Sequence, residues 1–131
     1  MRIDDLQGKV ALVTGSSTGI GAAVARGFGA QGMQVAVHCN ASRAAAEEVA
    51  ADVEKAGGRA IVLQGDVRKV EVCRRLVAET AAAFGRIDVL VNNAGLVVER
   101  RPLRDVDDTL YDHILDLNAR SVFACSRAAL P

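Results

Sequence analysis

Residues Val10–Gly21 read VALVTGSSTGIG, and this stretch decides the fold. Its first four residues are all apolar, which is typical of a short strand that is buried on both faces. Three glycines follow, Gly15, Gly19 and Gly21, and then a run of residues with helical character begins. The stretch therefore predicts a buried strand, a tight turn and a helix, in that order.

A turn of this kind can bind a phosphate group. The start of a helix leaves backbone N–H groups unpaired and carries the positive end of the helix dipole. Glycine removes the side chains that would keep an anion away. We expect Gly15 to form the sharp turn, Gly19 to allow close approach and Gly21 to let the helix pack tightly on the strand. The hydroxyls of residues 16–18 can add donors. Three glycines alone also fit a purely structural turn.

The composition favours one globular domain with a core of small aliphatic side chains. The chain has 131 residues, of which half are apolar and four are aromatic. Sixteen basic residues balance sixteen acidic ones, so the formal net charge is zero. This balance and the scarcity of aromatic rings argue against a nucleic-acid partner. No segment has the roughly 20 apolar residues of a membrane span.

The cysteines indicate a reducing environment. Cys39, Cys73 and Cys125 are odd in number and match no metal-binding spacing. The N-terminus lacks the apolar core of a signal peptide. We therefore expect reduced thiols, a cytoplasmic protein and no metal site. The acidic cluster at residues 111–116 is interpreted as a solvated helix face rather than as a set of metal ligands.

Strands and helices alternate along the chain. Strands are predicted at residues 9–14, 34–38, 59–64 and 87–91, and helices at 20–31, 42–56 and 69–84. A long helical pattern then covers residues 106–130, in one piece or two. This alternation predicts a single α/β domain over residues 1–131, a doubly wound parallel sheet of the Rossmann type with strand order 3-2-1-4. That order brings the ends of strands 1 and 4 together at the point where ligands bind.

Four motifs in this order carry a family resemblance. They are the TGSSTGIG of Thr14–Gly21, the pair Asp66-Val67, the NNAG of Asn92–Gly95, and Asn118 in an LNxxSxF context. Together they resemble the classical short-chain dehydrogenase/reductase family over about residues 7–131. The resemblance implies that Asp66 and Val67 contact adenine, and that Asn92–Gly95 supports the sheet and lines the adenosine ribose.

The same resemblance implies hydride transfer between NAD(P)(H) and a small alcohol or carbonyl substrate. In the family, an asparagine that matches Asn118 holds a water for a proton relay with a downstream Ser and a Tyr-x-x-x-Lys pair. The only tyrosine here, Tyr111, precedes Asn118 and has Leu115 four positions on. We therefore expect the cofactor-binding half of such an enzyme, inactive alone and ending at Pro131 before a fifth strand.

Two further expectations concern partners. The family's long helices often form subunit interfaces, so the resemblance implies a homo-oligomer. The alternative to an enzyme is a catalytically silent module that binds a dinucleotide or a protein partner.

The segment after the second strand, His38–Arg43, bears on which dinucleotide is bound. Folds that take NAD usually place an acid here for the ribose 2′-OH, but no acid occurs before Glu47. Arg43 by charge and Ser42 by its hydroxyl can bind a 2′-phosphate. We therefore predict NADP(H) over NAD(H). The alternative is that Ser42 only caps a helix and Arg43 is a surface charge.

These arguments define the candidate residues. Asn118 is the candidate catalytic residue. The candidate cofactor-binding residues are Gly15, Ser16, Ser17, Thr18, Gly19, Ile20, Gly21, His38, Asn40, Ser42, Arg43, Asp66, Val67, Asn92, Asn93, Ala94 and Gly95.

Overall fold

Four parallel strands with helices on both faces form the protein, for which a computed structural model describes residues 1–131. The strands are β1 (Val10–Val13), β2 (Gln34–Cys39), β3 (Arg59–Gln64) and β4 (Val89–Val91). The helices are α1 (Gly19–Ala30), α2 (Arg43–Lys55), α3 (Val70–Phe84), α4 (Asp108–Leu115) and α5 (Ser121–Ala129). A π-helical turn, Asp116–Arg120, joins α4 to α5, and 3-10 turns lie at Asp4–Leu6 and Leu103–Asp105.

The strand order is β3-β2-β1-β4, which confirms the prediction. Val13, the last residue of β1, pairs with Val37 of β2 and with Val91 of β4. The carboxyl ends of these three strands are therefore almost level. The glycine turn that follows β1 lies between the segments that follow β2 and β4.

The core lies on both faces of β1, as its apolar run predicts. Successive strand residues point to opposite faces. Ala11 and Val13 pack in a cluster with α1 and α2, whereas Leu12 packs in a second cluster with α3 and α5. All four residues of β1 are fully buried, so the strand and the turn that it carries are fixed from both sides.

The long helical pattern at residues 106–130 folds as two α-helices, one of the two predicted forms, joined by a π-helical turn that was not predicted. The helix begins at Asp108, because Asp107 accepts a hydrogen bond from the Leu110 amide at 2.8 Å and so caps it. It then widens into the π-helical turn before α5. No helix of the protein has the length and hydrophobicity needed to cross a lipid bilayer.

Candidate functional site

A cleft of about 330 Å³ opens at the carboxyl ends of the strands. Segments that follow each of the four strands line it, together with one residue of the π-helical turn. Its lining residues are Gly15, Ser17, Thr18, His38, Cys39, Asn40, Ala41, Ser42, Asp66, Val67, Asn93, Ala94, Gly95, Leu96 and Leu117. Most were predicted from the motifs. Cys39, Ala41, Leu96 and Leu117 were not, because they carry no motif of their own.

The three glycines of the turn differ in their surroundings. Gly15 has a φ of +63°, and a Cβ there would lie 2.9 Å from the Ala94 Cα. A Cβ on Gly21 would overlap the Asn93 side chain and the Gly15 carbonyl. Gly19 has a φ of +57° but no neighbouring atom within 4 Å of its Cβ position. Gly15 and Gly21 therefore permit close packing, as expected, whereas Gly19 faces open space.

The start of α1 offers free backbone donors to that open space. The first backbone bond of the helix runs from the Ala22 amide to the Thr18 carbonyl at 3.2 Å. Thr18 makes no side-chain cap, and the first turn contains no acidic residue. The amides of Gly19, Ile20 and Gly21 thus have no helical partner. This donor set fits a phosphate or pyrophosphate group.

Side chains around the end of β4 hold the glycine turn in place. Asn93 Nδ2 donates to the carbonyls of Thr14 and Gly15 at 3.0 and 2.9 Å. The Thr14 hydroxyl oxygen accepts from the amides of Asn93 and Ala94 at 3.1 and 3.0 Å. Thr14 was not predicted as a site residue, although a hydroxyl at the last position before a glycine turn is a usable signal. Asn93 and Thr14 thereby join the ends of β4 and β1.

Ser16 does not present its hydroxyl to the cleft, contrary to expectation. Its side chain is fully buried. The hydroxyl donates to the Val13 carbonyl at 2.7 Å and accepts from the His38 amide at 2.9 Å. Both bonds point into the fold, toward the backbone of β1 and β2. Ser16 therefore builds the turn, and Ser17 and Thr18 line the cleft.

His38 lies beneath the turn and reaches the segments after β1 and β3. Its side chain is 2% exposed. Nδ1 lies 2.9 Å from the Gly15 amide nitrogen, and Nε2 lies 2.8 Å from the Gly65 carbonyl oxygen. Burial lowers the pKa of this imidazole, and the positive charge of Arg75 acts in the same direction.

Asp66 forms the wall of the cleft after β3. Arg68 donates from Nε and Nη2 to the Asp66 carboxylate, at 3.0 and 2.7 Å to Oδ2, and its amide donates to Oδ1 at 3.0 Å. The hydrogen bonds from the Arg68 side chain hold the pKa of this carboxyl below its usual range. Arg68 Nε also donates to Oδ1 at 3.0 Å, so Arg68 occupies all of the about four acceptor positions of the carboxylate, and an incoming amine would have to replace one of these bonds. Val67 is buried against the core.

The residues after β2 divide into two groups. Asn40 and Ser42 line the cleft, and Ser42 makes no side-chain cap on α2. The expectation that Ser42 caps this helix is therefore wrong. Arg43 does not line the cleft, and its Nε lies 3.0 Å from Glu47 Oε1 on the surface of α2.

Two other predicted residues also point away from the cleft lining. Asn92 donates from Nδ2 to the Ser126 hydroxyl at 3.1 Å, which ties the end of β4 to α5. Ile20 is 78% exposed, at the outer side of the helix start. Asn92 therefore acts as a packing contact, and Ile20 contributes its backbone amide.

Asn118 lies in the π-helical turn and binds the segment after the NNAG motif. Its Oδ1 accepts from the Leu96 amide at 3.0 Å, and its Nδ2 donates to the carbonyls of Leu96 and Ile114 at 3.0 and 2.9 Å. A Cβ on Gly95 would lie 2.7 Å from Asn118 Oδ1. Asn118 thus fixes the long helix against the cleft wall. No group of three potential metal ligands occurs in the structure.

Proteins of similar sequence are oxidoreductases. The family model described as short chain dehydrogenase matches residues 9–131. An uncharacterized oxidoreductase of Methylorubrum extorquens is 43% identical over 124 residues, which are 95% of this chain and 50% of the relative. The 3beta-hydroxysteroid dehydrogenase 1 of Eggerthella lenta is 40% identical over 131 residues, with 97% and 48% covered.

Solved structures give the same result. A short chain dehydrogenase from Burkholderia cenocepacia, in complex with NADP, has a TM-score of 0.91 and 44% identity, covering 95% of this chain and 50% of that one. An NADH-dependent reductase, A1-R′, complexed with NAD, has a TM-score of 0.88 and 37% identity, with 96% and 52% covered. The chain spans about half the length of these relatives. By its sequence and its sheet, it belongs to the short-chain dehydrogenase/reductase family.

Proposed function

We propose that the cleft binds a nicotinamide dinucleotide. The observation that carries this proposal is the start of α1, where the amides of Gly19–Gly21 lack helical partners and Gly19 faces open space. These amides would hold the pyrophosphate. Asp66 would accept a hydrogen bond from the adenine amine, and the backbone of Asn93–Gly95 would lie along the ribose. The relatives solved with NAD and with NADP support this proposal.

The corresponding enzyme activity is hydride transfer between the nicotinamide and an alcohol or carbonyl substrate. The bound cofactor supplies or accepts the hydride. This chain positions the cofactor, and Asn118, through the resemblance, would hold the water of a proton relay. No Tyr-x-x-x-Lys pair is present in these 131 residues. We therefore expect the chain by itself to bind the cofactor and not to turn over substrate. We also expect it to be a cytoplasmic homo-oligomer.

We further propose a preference for NADP(H). The Ser42 hydroxyl lines the cleft, Arg43 follows it, and no acid occurs between His38 and Glu47. An acid in that segment would repel a 2′-phosphate. The ion pair between Arg43 and Glu47 is half-exposed on both sides, and such a pair on a helix contributes only about 0.2–0.5 kcal/mol. A 2′-phosphate would therefore compete readily for Arg43.

Titration of the purified chain with NADPH and NADH tests both proposals. We expect saturable binding of both cofactors, with NADPH bound more tightly. Arg43→Ala would weaken NADPH binding by about tenfold or more, since a hydrogen bond to a charged group contributes about 1.5–3 kcal/mol, and would leave NADH binding nearly unchanged. Glu47→Gln is the matched variant, because it frees Arg43 and would strengthen NADPH binding.

Each result has a distinct meaning. A folded chain without affinity for either dinucleotide would refute the binding proposal. An equal loss of affinity for NADPH and for NADH in Arg43→Ala would refute only the proposed preference for NADP(H). Steady oxidation of NADPH by the chain with a panel of ketones and aldehydes would contradict the expectation that it is inactive alone.

A further inference from the structure

The His38 side chain joins two walls of the cleft, the glycine turn after β1 and the segment after β3. Its Nδ1 lies 2.9 Å from the Gly15 amide nitrogen in the glycine turn, and its Nε2 lies 2.8 Å from the carbonyl oxygen of Gly65, the residue before Asp66. Its backbone is bound to the turn as well, because the Ser16 amide donates to the His38 carbonyl at 2.9 Å. The position of the turn relative to Asp66 therefore depends on this residue.

The hydrogen bonds of His38 specify one protonation state. The Gly15 amide is a donor, so Nδ1 must offer a lone pair. The Gly65 carbonyl is an acceptor, so Nε2 must carry the hydrogen. Only the neutral imidazole with its hydrogen on Nε2 satisfies both partners. A second proton, on Nδ1, would point at the Gly15 N–H and replace an attraction by a repulsion.

The charged surroundings of His38 are few. Asp66, after β3, favours the imidazolium, and Arg75, on α3, disfavours it. The glycine turn itself contributes hydroxyls and amides but no titratable side chain. Burial is the largest influence and favours the neutral ring. The ring is therefore neutral near pH 7 and gains a proton only in more acidic solution.

We infer that neutral His38 is a positioning residue for the cofactor-binding turn, and that its protonation releases the turn from the Gly65 side of the cleft and weakens dinucleotide binding. This inference rests on the proposed function, since it assumes that the cleft binds the cofactor. It assigns His38 a role beneath the turn rather than a contact with the ribose.

The protonation state is tested first, without any cofactor. Long-range ¹H–¹⁵N NMR of the labelled chain distinguishes the two neutral tautomers and the imidazolium. His113→Gln removes the only other histidine and assigns the signals. We expect His38 to be the Nε2–H tautomer at about pH 7–8, because burial lowers the pKa of the imidazole and favours the neutral ring. An imidazolium or an Nδ1–H tautomer at pH 7 would overturn the inference.

Binding of NADPH is then measured from about pH 8 to about pH 5.5 in three chains. Below the pKa of His38, the affinity of the parent chain and of His113→Gln should fall several-fold. His38→Asn should show a flatter pH profile than the parent, because its amide oxygen can accept from Gly15 and does not titrate. Identical profiles for the parent and His38→Asn would overturn the inference.

A third variant separates the hydrogen bond from folding. His38→Leu fills the space without an acceptor, so the Gly15 amide loses its partner. We expect a loss of about tenfold or more in affinity at pH 8, together with faster hydrogen exchange of the Gly15 amide. His38→Asn should keep that amide protected. Absence of binding in the parent chain would refute the proposed function, whereas the NMR and exchange results would still decide the role of His38.

Discussion

Replacement of Gly21 by alanine tests how tightly α1 is packed against the end of β4. Gly21 lies in the first turn of α1, beneath the cleft. A methyl group there would overlap the Asn93 Nδ2 and the Gly15 carbonyl, and would lie 2.9 Å from the Ser16 Cα. The last of these atoms belongs to the backbone, so it cannot rotate away. The helix or the turn must therefore move.

The expected cost follows from the contacts that such a movement disturbs. Overpacking at a rigid site costs about 1–3 kcal/mol. Displacement of Asn93 Nδ2 also breaks its hydrogen bonds to the Thr14 and Gly15 carbonyls, each of which contributes about 0.5–1.5 kcal/mol. The higher helix propensity of alanine stabilises the folded chain by about 1 kcal/mol and offsets part of this loss. We expect Gly21→Ala to lower the free energy of unfolding by about 3 kcal/mol.

The control lies in the same helix. Gly27 is exposed, and its Cβ position has no atom within 4 Å, so Gly27→Ala should raise the free energy of unfolding by about 0.5–1 kcal/mol. Urea unfolding followed by circular dichroism measures both changes. With a slope of about 1–3 kcal/mol per molar urea, the two midpoints should differ by about 1–4 M. Similar midpoints for the two variants would refute the packing described here.

Three further outcomes follow from individual residues. Burial opposes ionisation of Asp88, but the Val10 amide and neighbouring cations outweigh it and hold the pKa of the carboxyl below its usual value. The stability that Asp88 contributes is therefore fully present above about pH 4 and is lost as the pH falls through the folded-state pKa of this carboxyl. In the parent chain the urea midpoint should fall over this acidic range, and in Asp88→Asn it should fall less. Burial raises the pKa of Cys125 to about 12, and the neighbouring Cys73 is equally buried. Both thiols should therefore react with a disulfide reagent at pH 8 only on unfolding. Rapid labelling of either of these two thiols in the native chain would contradict the packing of α3 on α5. In Gly19→Ala the added methyl contacts no neighbouring atom, but alanine is held at a φ of +57°, which costs about 1–2 kcal/mol of stability. The methyl should also reduce the affinity of the folded chain for NADPH. An unchanged affinity would mean that the phosphates bind elsewhere.

The strand order and the glycine turn could be predicted from local patterns. An apolar run such as Val10–Val13 has few structures other than a doubly buried strand. Alternation of strands with helices, together with right-handed crossovers, leaves few orders for the sheet. Gly15 and Gly21 then follow from the need to bring a helix close to that strand. In each case the decisive information lies within a few neighbouring residues.

The roles of adjacent polar residues depended on contacts that are distant in sequence. Asn92 and Asn93 follow the same strand, and their side chains leave it on opposite sides, as alternation along a strand requires. Only the fold shows that one side holds α5 and the other holds the glycine turn. Ser16 likewise turns inward because the His38 amide, 22 residues later, donates to its hydroxyl.

The π-helical turn was missed for a similar reason. Residues 106–130 have a helical pattern throughout, and that pattern does not distinguish an α-helical from a π-helical turn over five residues. Within this turn, Asn118 binds the backbone of Leu96, which is 22 residues earlier in the chain. A residue singled out by family resemblance thus ties the turn to the cleft wall through a contact that no local pattern predicts.

The polar groups around the glycine turn fall into two sets, those that hold the turn in place and those that are free to bind a ligand. Thr14, Ser16, His38 and Asn93 all direct their polar side-chain atoms at the backbone around the glycine turn. No buried side-chain nitrogen or oxygen in the structure lacks a hydrogen-bond partner. The unpaired donors at the turn include the amides at the start of α1, beside the open space at Gly19. The turn is therefore shaped by its own hydrogen bonds before any ligand arrives, which lowers the ordering cost of binding. Substitutions among the four builders should consequently change stability and affinity together, whereas a methyl at Gly19 should reduce affinity by more than its backbone strain explains.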